Sequence, residues 1–210
     1  MLLGIDTCGA VGTVALASRS DGTVSQVEQK ELAGKTYSAQ LVPMIQELLR
    51  ERSLGPKDLE AVVVVHGPGS FTGVRVGVST AKALAESLDI PLLAVSRLAV
   101  LAHKAGTEAA ALDAGRGEFY FRQQADEALL QPEKIRGSIR GPLAVCEESA
   151  AQAFPEAICV EPPSASDALV FALPRLLAKD LDDVLLIDGN YLRRSDAELF
   201  AKKPIPTAIG

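Results

Sequence analysis

The run Leu59-Glu60-Ala61-Val62-Val63-Val64-Val65 leads into His66-Gly67-Pro68-Gly69-Ser70-Phe71-Thr72-Gly73-Val74-Arg75-Val76-Gly77. A continuous β-branched run suits a strand covered on both faces, so it reads as a parallel or mixed central strand. The glycines and the proline end it sharply. Beyond them Gly73, Gly77, Ala81 and Ala85 recur every fourth residue, with Val74, Val78 and Leu88 alongside. That spacing predicts a helix over 73–88. Strand, glycine turn and helix together place the chain in the α/β class.

The flanks repeat the theme. Upstream, Leu2 to Asp6, Val11 to Leu16 and Thr23 to Lys30 read as three strands of a meander, with Asp21-Gly22 as one turn. Leu41, Met44, Ile45, Leu48 and Leu49 then mark one face of a helix over 38–52. Thr36 or Ser38 is its expected cap, Pro43 sits near its first turn or kinks it, and Gly55-Pro56 ends it. Downstream, Ile90 to Val95 is a strand and Arg97 to Lys104 a helix. The order is then β-β-β-α-β-α-β-α. Ala109 to Asp113, a Gly115-Arg116-Gly117 turn and Glu118 to Gln123 restart it. Leu143 to Cys146 and Ala157 to Val160 read as strands around a helix at 147–154. Leu169, Leu173, Leu176 and Leu177 mark a last helix after Ser164 or Ser166, with Pro174 inside it. Two lobes are expected, 1–105 and 106–210, the last helix being free to pack back on the first lobe.

The chain has 210 residues, 48% apolar and 23% charged, with a formal net charge of −6. Those values fit a folded chain and exclude disorder as the main state. The acidic balance argues against gripping nucleic acid alone. The three cysteines, Cys8, Cys146 and Cys159, form no C-x-x-C pair and fit a reducing compartment. With no basic leader and no apolar run near the ~18 residues of a membrane span, a cytoplasmic location without membrane contact is expected.

Several side chains are candidates for chemistry. The 67–77 segment puts backbone N–H groups near a helix N-terminus, where an anion can sit; the other reading, a plain tight strand-to-helix turn, carries more weight. It is neither a P-loop nor a dinucleotide fingerprint. Asp6 and Asp113 each end a strand before a small turn. Such acids can hold a phosphate-bound metal, or simply accept local N–H bonds. The candidate phosphate or nucleotide set is therefore Asp6, Thr7, Gly67, Gly69, Ser70, Thr72, Arg75 and Asp113. Ser70 lacks a G-x-S-x-G elbow, and His66 and His103 form no metal pair, so no catalytic or metal-ligating residue is assigned. The small-residue stripe packs either on the chain's own sheet or against a partner helix.

Leu3-Gly4-Ile5-Asp6-Thr7, Tyr37-Ser38 with Leu41 and Pro43-Met44-Ile45, the 67–77 segment, the Asp113-to-Tyr120 turn and Tyr191-Leu192-Arg193 resemble the TsaB family, also called YeaZ. These are bacterial tRNA threonylcarbamoyladenosine biosynthesis proteins. The resemblance implies a two-lobed actin/hexokinase/Hsp70-like (ASKHA) fold, with mixed sheets flanked by helices. It implies a non-catalytic partner of TsaD, the threonylcarbamoyl transferase, acting with TsaE in N6-threonylcarbamoyladenosine (t6A) modification of tRNA. On that basis tRNA is met only through the complex. No cofactor belongs to the chain itself, ATP or ADP with Mg²⁺ entering at the complex.

The resemblance places TsaD contact on the first two long helices, here through Leu41, Met44, Ile45, Leu48, Gly73, Val74, Gly77, Val78, Ala81 and Ala85. A large charged residue at Gly77 or Ala81 is then expected to abolish the complex and spare the fold. The same face, left bare, is expected to form a homodimer. Tyr37, Cys8-Gly9 and Gly115 depart from the family's usual residues, which weakens independent nucleotide turnover. The alternatives are a self-sufficient ATP-dependent enzyme and a glycoprotease-like peptidase.

Overall fold

The computed structural model describes residues 1–34 and 36–193; the end of the expected second lobe, 194–210, lies outside the described residues. Its strands are β1 (Leu2–Asp6), β2 (Val11–Ser20), β3 (Thr23–Ala33), β4 (Ala61–Val65), β5 (Leu92–Val95), β6 (Ala109–Asp113), β7 (Phe119–Gln123), β8 (Asp126–Leu130), β9 (Leu143–Val145) and β10 (Ile158–Cys159). Its helices are α1 (Tyr37–Glu51), α2 (Phe71–Leu88), α3 (Arg97–Ala105), α4 (Pro132–Ser138), α5 (Glu148–Ala153) and α6 (Ala165–Leu177).

The strands form two mixed five-stranded sheets. The first runs β3-β2-β1-β4-β5, with β1–β2 and β2–β3 antiparallel and β1–β4 and β4–β5 parallel. The second runs β8-β7-β6-β9-β10 with the same sequence of directions. Each begins with a central strand ending in an aspartate, Asp6 or Asp113. This is an ASKHA-like α/β architecture, and the short restart seen at Ala109 is its sequence trace.

Every residue of β1 and β4 is buried. Side chains of a strand alternate between faces, and β1 uses this to seat a helix on each side. On one side, a Cβ on Gly4 would lie 2.7 Å from the Ala165 carbonyl oxygen of α6. On the other, a Cβ on Gly77 of α2 would lie 2.4 Å from Thr7 Oγ1 and 3.6 Å from Ile5 Cγ2. Tyr37 of α1 covers Gly12 on that same side, where a Cβ would meet its ring at 2.6 Å. Two helices exchange sheets. α3, which follows β5, packs Leu98 and Leu101 with Ala110, Leu112 and Tyr120 of the second sheet. α6 packs Ala165, Ala168, Leu169 and Ala172 into the core of the first.

The stripe expected to meet a partner is internal. Gly73, Val74, Gly77, Val78, Ala81 and Ala85 are buried, as are Leu41, Ile45 and Leu48; only Met44 is half-buried. The four-residue period marks a close approach of α2 to β1, so a large charged residue at Gly77 or Ala81 would break the fold rather than spare it. The outward faces carry other residues, including Val42, Pro43 and Gln46 on α1 and Thr72, Ser79 and Ala83 on α2.

Boundaries differ in detail. α2 starts at Phe71, because Ser70 is its N-cap and its Oγ accepts from Gly73 N. Thr36 precedes α1, yet its hydroxyl donates to Ala33 O instead of capping. Ser164, not Ser166, caps α6, with Asp167 completing the capping box. Strand β8 and helix α4 were not expected from the sequence.

Candidate functional site

A cleft of about 610 Å³ opens where the β1–β2 turn faces the β6–β7 turn. Cys8, Gly9, Gly69, Ser70 and Tyr37 contribute from the first lobe side, and Asp113, Ala114, Tyr120 and Glu147 from the second. Arg97, the first residue of α3, lines it between them.

Both aspartates make the same local bond. Asp6 Oδ1 accepts from Cys8 N at 2.8 Å, and Asp113 Oδ1 accepts from Gly115 N at 2.6 Å. Each is an Asx turn that tightens the exit of its strand. Their surroundings then diverge. Asp6 is 2% exposed, and its Oδ2 faces Arg97 Nε at 3.8 Å. Burial pushes its carboxyl above the ordinary carboxylate value, and Arg97 opposes that shift. Asp113 is half-buried, and its Oδ2 accepts from Ser149 Oγ at 2.7 Å. Glu147 Oε2 accepts from Asp113 N at 2.7 Å, while Oε1 lies 4.0 Å from Arg97 Nη1. Burial raises the Glu147 carboxyl, against the pull of that N–H and of Arg97.

Arg97 is the residue missed in the sequence. It is 7% exposed, and its Nε has no hydrogen-bond partner. Burial works to lower its pKa, but Asp6 and the neighbouring acids outweigh that and raise it. A signal was present: a guanidinium at the first position of a helix, ahead of the apolar run Leu98–Ala102, opposes the helix dipole, so something else must hold it there.

Of the candidate phosphate set, the structure brings Gly69, Ser70 and Asp113 to the cleft, whereas Asp6 is buried and does not line it. Thr7 is fully buried and donates from Oγ1 to Gly73 O at 2.6 Å, pinning α2 to β1. Gly67 is buried beside Asn190. Thr72 and Arg75 lie on exposed α2 positions outside the cleft. Arg75 stacks over the Phe71 ring at 4.0 Å, and Phe71 meets Tyr191 at 4.9 Å. Among the described residues, no group of three or more His, Cys, Asp or Glu is arranged to hold a metal ion, and no helix is long and apolar enough to cross a membrane.

A family model described as TsaD: tRNA N6-adenosine threonylcarbamoyltransferase matches residues 25–186. The tRNA threonylcarbamoyladenosine biosynthesis protein TsaB of Haemophilus influenzae is 39% identical over 132 residues, covering 60% of this chain and 54% of that protein. A crystal structure from Pseudomonas aeruginosa, described as an uncharacterized protein with similarity to peptidase YeaZ, superposes with a TM-score of 0.77. It is 27% identical, over 91% of this chain and 99% of that one. The chain belongs to the TsaB/YeaZ family. An uncharacterized protein of Mycobacterium bovis is 33% identical across 95% of both chains. The match spans about half the length of the first curated TsaB relatives. Within a TsaB/YeaZ chain, then, the cleft is built, and Arg97 stands beside Asp6 and Glu147.

Proposed function

We propose that this chain is a non-catalytic subunit in t6A modification of tRNA, the cytoplasmic partner of a TsaD transferase. The family supports the pathway. The Arg97–Asp6 pair supports the non-catalytic reading, because a guanidinium charge 3.8 Å from that carboxylate opposes a phosphate-bound metal there. No cofactor is assigned to the chain; ATP or ADP with Mg²⁺ belongs to the complex with TsaD and TsaE. The partner surface is the outward side of α1 and α2, with Val42, Pro43, Ser79 and Ala83 exposed and Met44 and Val76 half-buried. In isolation, the same apolar surface would pair two copies of the chain. tRNA is met only through the complex.

Reconstitution tests this. Cognate TsaD and TsaE, a threonylcarbamoyl donor, ATP and unmodified tRNA are assayed for t6A with and without the chain. Dependence on the chain, with no ATPase activity from it alone, is expected. Equal modification in its absence contradicts the proposal.

A further inference from the structure

We propose that the turn at 183–187 is a further anchor for TsaD, Leu185 and Leu186 entering an apolar pocket of that partner whose rim is basic. This rests on the reading of the chain as a TsaD partner and carries the contact beyond α1 and α2. Leu185 and Leu186 are 78% and 80% exposed, the highest values for large apolar side chains among the described residues. Their neighbours on both sides point inward: Val184 packs against the core of the first sheet, and Ile187 is part of it. Asp183 ties the turn between them. Its carbonyl oxygen accepts from Leu186 N at 2.9 Å and from Ile187 N at 3.2 Å, and its Oδ1 accepts from Leu185 N at 2.9 Å. The two leucines are thus held out by a formed turn. A contact displayed in one conformation costs little ordering on association, and two adjacent exposed leucines offer apolar area for a partner to bury.

The place of the turn decides the occupant. Lys82 of α2 donates from Nζ to Ile187 O at 3.0 Å and to Leu185 O at 3.5 Å. Residues three and four apart are neighbours on a helix surface, and for Lys82 these include Ser79 and Glu86, both exposed. The leucines therefore continue the outward side of α2, the surface assigned to TsaD. The local charge sets the rim. Leu186 walls a hollow of about 490 Å³ with Leu181, Asp182, Asp183 and Asp188. Asp182 is paired with Arg175 at 2.9 Å. Asp183 and Asp188 are exposed, and among the described residues neither makes an ion pair. Lys82, the cation beside the turn, is spent on carbonyl oxygens. A pocket rimmed by lysine or arginine complements this edge, and an acidic rim would be repelled.

The test is calorimetry of the full chain with its cognate TsaD, for wild type, Leu185→Gln/Leu186→Gln and Val170→Gln. Glutamine removes the apolar surface without changing the net charge. Val170 is 49% exposed on α6, which covers the opposite face of the first sheet from α2, and serves as the control. The double variant should bind at least about tenfold more weakly, and its melting temperature should stay within about 2 °C of wild type. Val170→Gln should bind as wild type does. Asp183→Asn/Asp188→Asn should flatten the fall of affinity with added salt. Wild type that binds TsaD while the folded double variant binds it equally well overturns this proposal and spares the α1 and α2 surface. Wild type that does not bind TsaD overturns both. A larger drop in melting temperature would mean that the chain itself covers the leucines, and an equal loss of affinity in Val170→Gln would mean an unspecific effect; either overturns the proposal. An unchanged salt dependence in the asparagine variant overturns the basic rim.

Discussion

At the residue scale the account turns on close contacts that a sequence cannot display. Gly73 and Gly77 read as a partner-facing stripe, yet a Cβ on Gly73 would lie 1.9 Å from Thr7 O. Gly77→Leu should therefore destabilise the fold by about 3 kcal/mol or prevent folding, since overpacking of this kind has no room to relax. Thermal denaturation checks it, and an unchanged melting temperature would contradict the packing described. Ser70→Ala removes the cap of α2 and should cost about 1 kcal/mol, read by urea denaturation.

Charge at the cleft predicts a pH effect. The Glu147 carboxyl is raised above its ordinary value of 4.5, so the folded state holds the proton longer than the unfolded one. Its contribution to stability is present below that value and falls as pH rises through the raised pKa. Asp6 acts in the same direction from 3.8 upward. Glu147→Gln should thus flatten the decline of melting temperature as pH rises above 4.5. Parallel pH profiles for the two proteins would refute the assignment.

At the element scale, long periodic segments were legible and short polar ones were not. The apolar run of β4 and the i, i+3, i+4 pattern of α1 carry their own structure. Periodicity fixes which residues share a helix face, but not what that face meets, and this is why the α2 stripe admitted two readings. β8 escaped because Asp126 and Glu127 open it. Glu127 is held by Arg122 at 2.7 Å, by Asn190 at 2.6 Å and by Ser96, contacts visible only once the lobes are assembled. α4 is a seven-residue helix opened by Pro132, with one buried side chain, Ile135. The outward faces of α1 and α2 are the complement of this packing. Val42→Glu and Ala83→Glu should each leave stability within about 0.5 kcal/mol of wild type, as exposed substitutions do, read by urea denaturation.

At the scale of the whole molecule, two sheets of one topology meet at a cleft, and each contributes an aspartate at the end of its central strand. The exchange of α3 and α6 ties the two sheets together, because each sheet's core is completed by a helix from the other side of the chain. The repeat of one sheet order was legible from Asp6 and Asp113. The asymmetry was not, because it depends on Arg97 reaching one aspartate and not the other. That asymmetry underlies the proposal that the chain works by docking rather than by turnover.

The most direct test is the affinity of the chain for its cognate TsaD, measured by calorimetry for wild type and for the Val42→Glu/Ala83→Glu double variant. The account predicts a tight wild-type complex and at least about tenfold weaker binding by the folded variant, equivalent to 1.4 kcal/mol. Wild-type protein that does not bind TsaD, or a folded variant that binds it equally well, would contradict it.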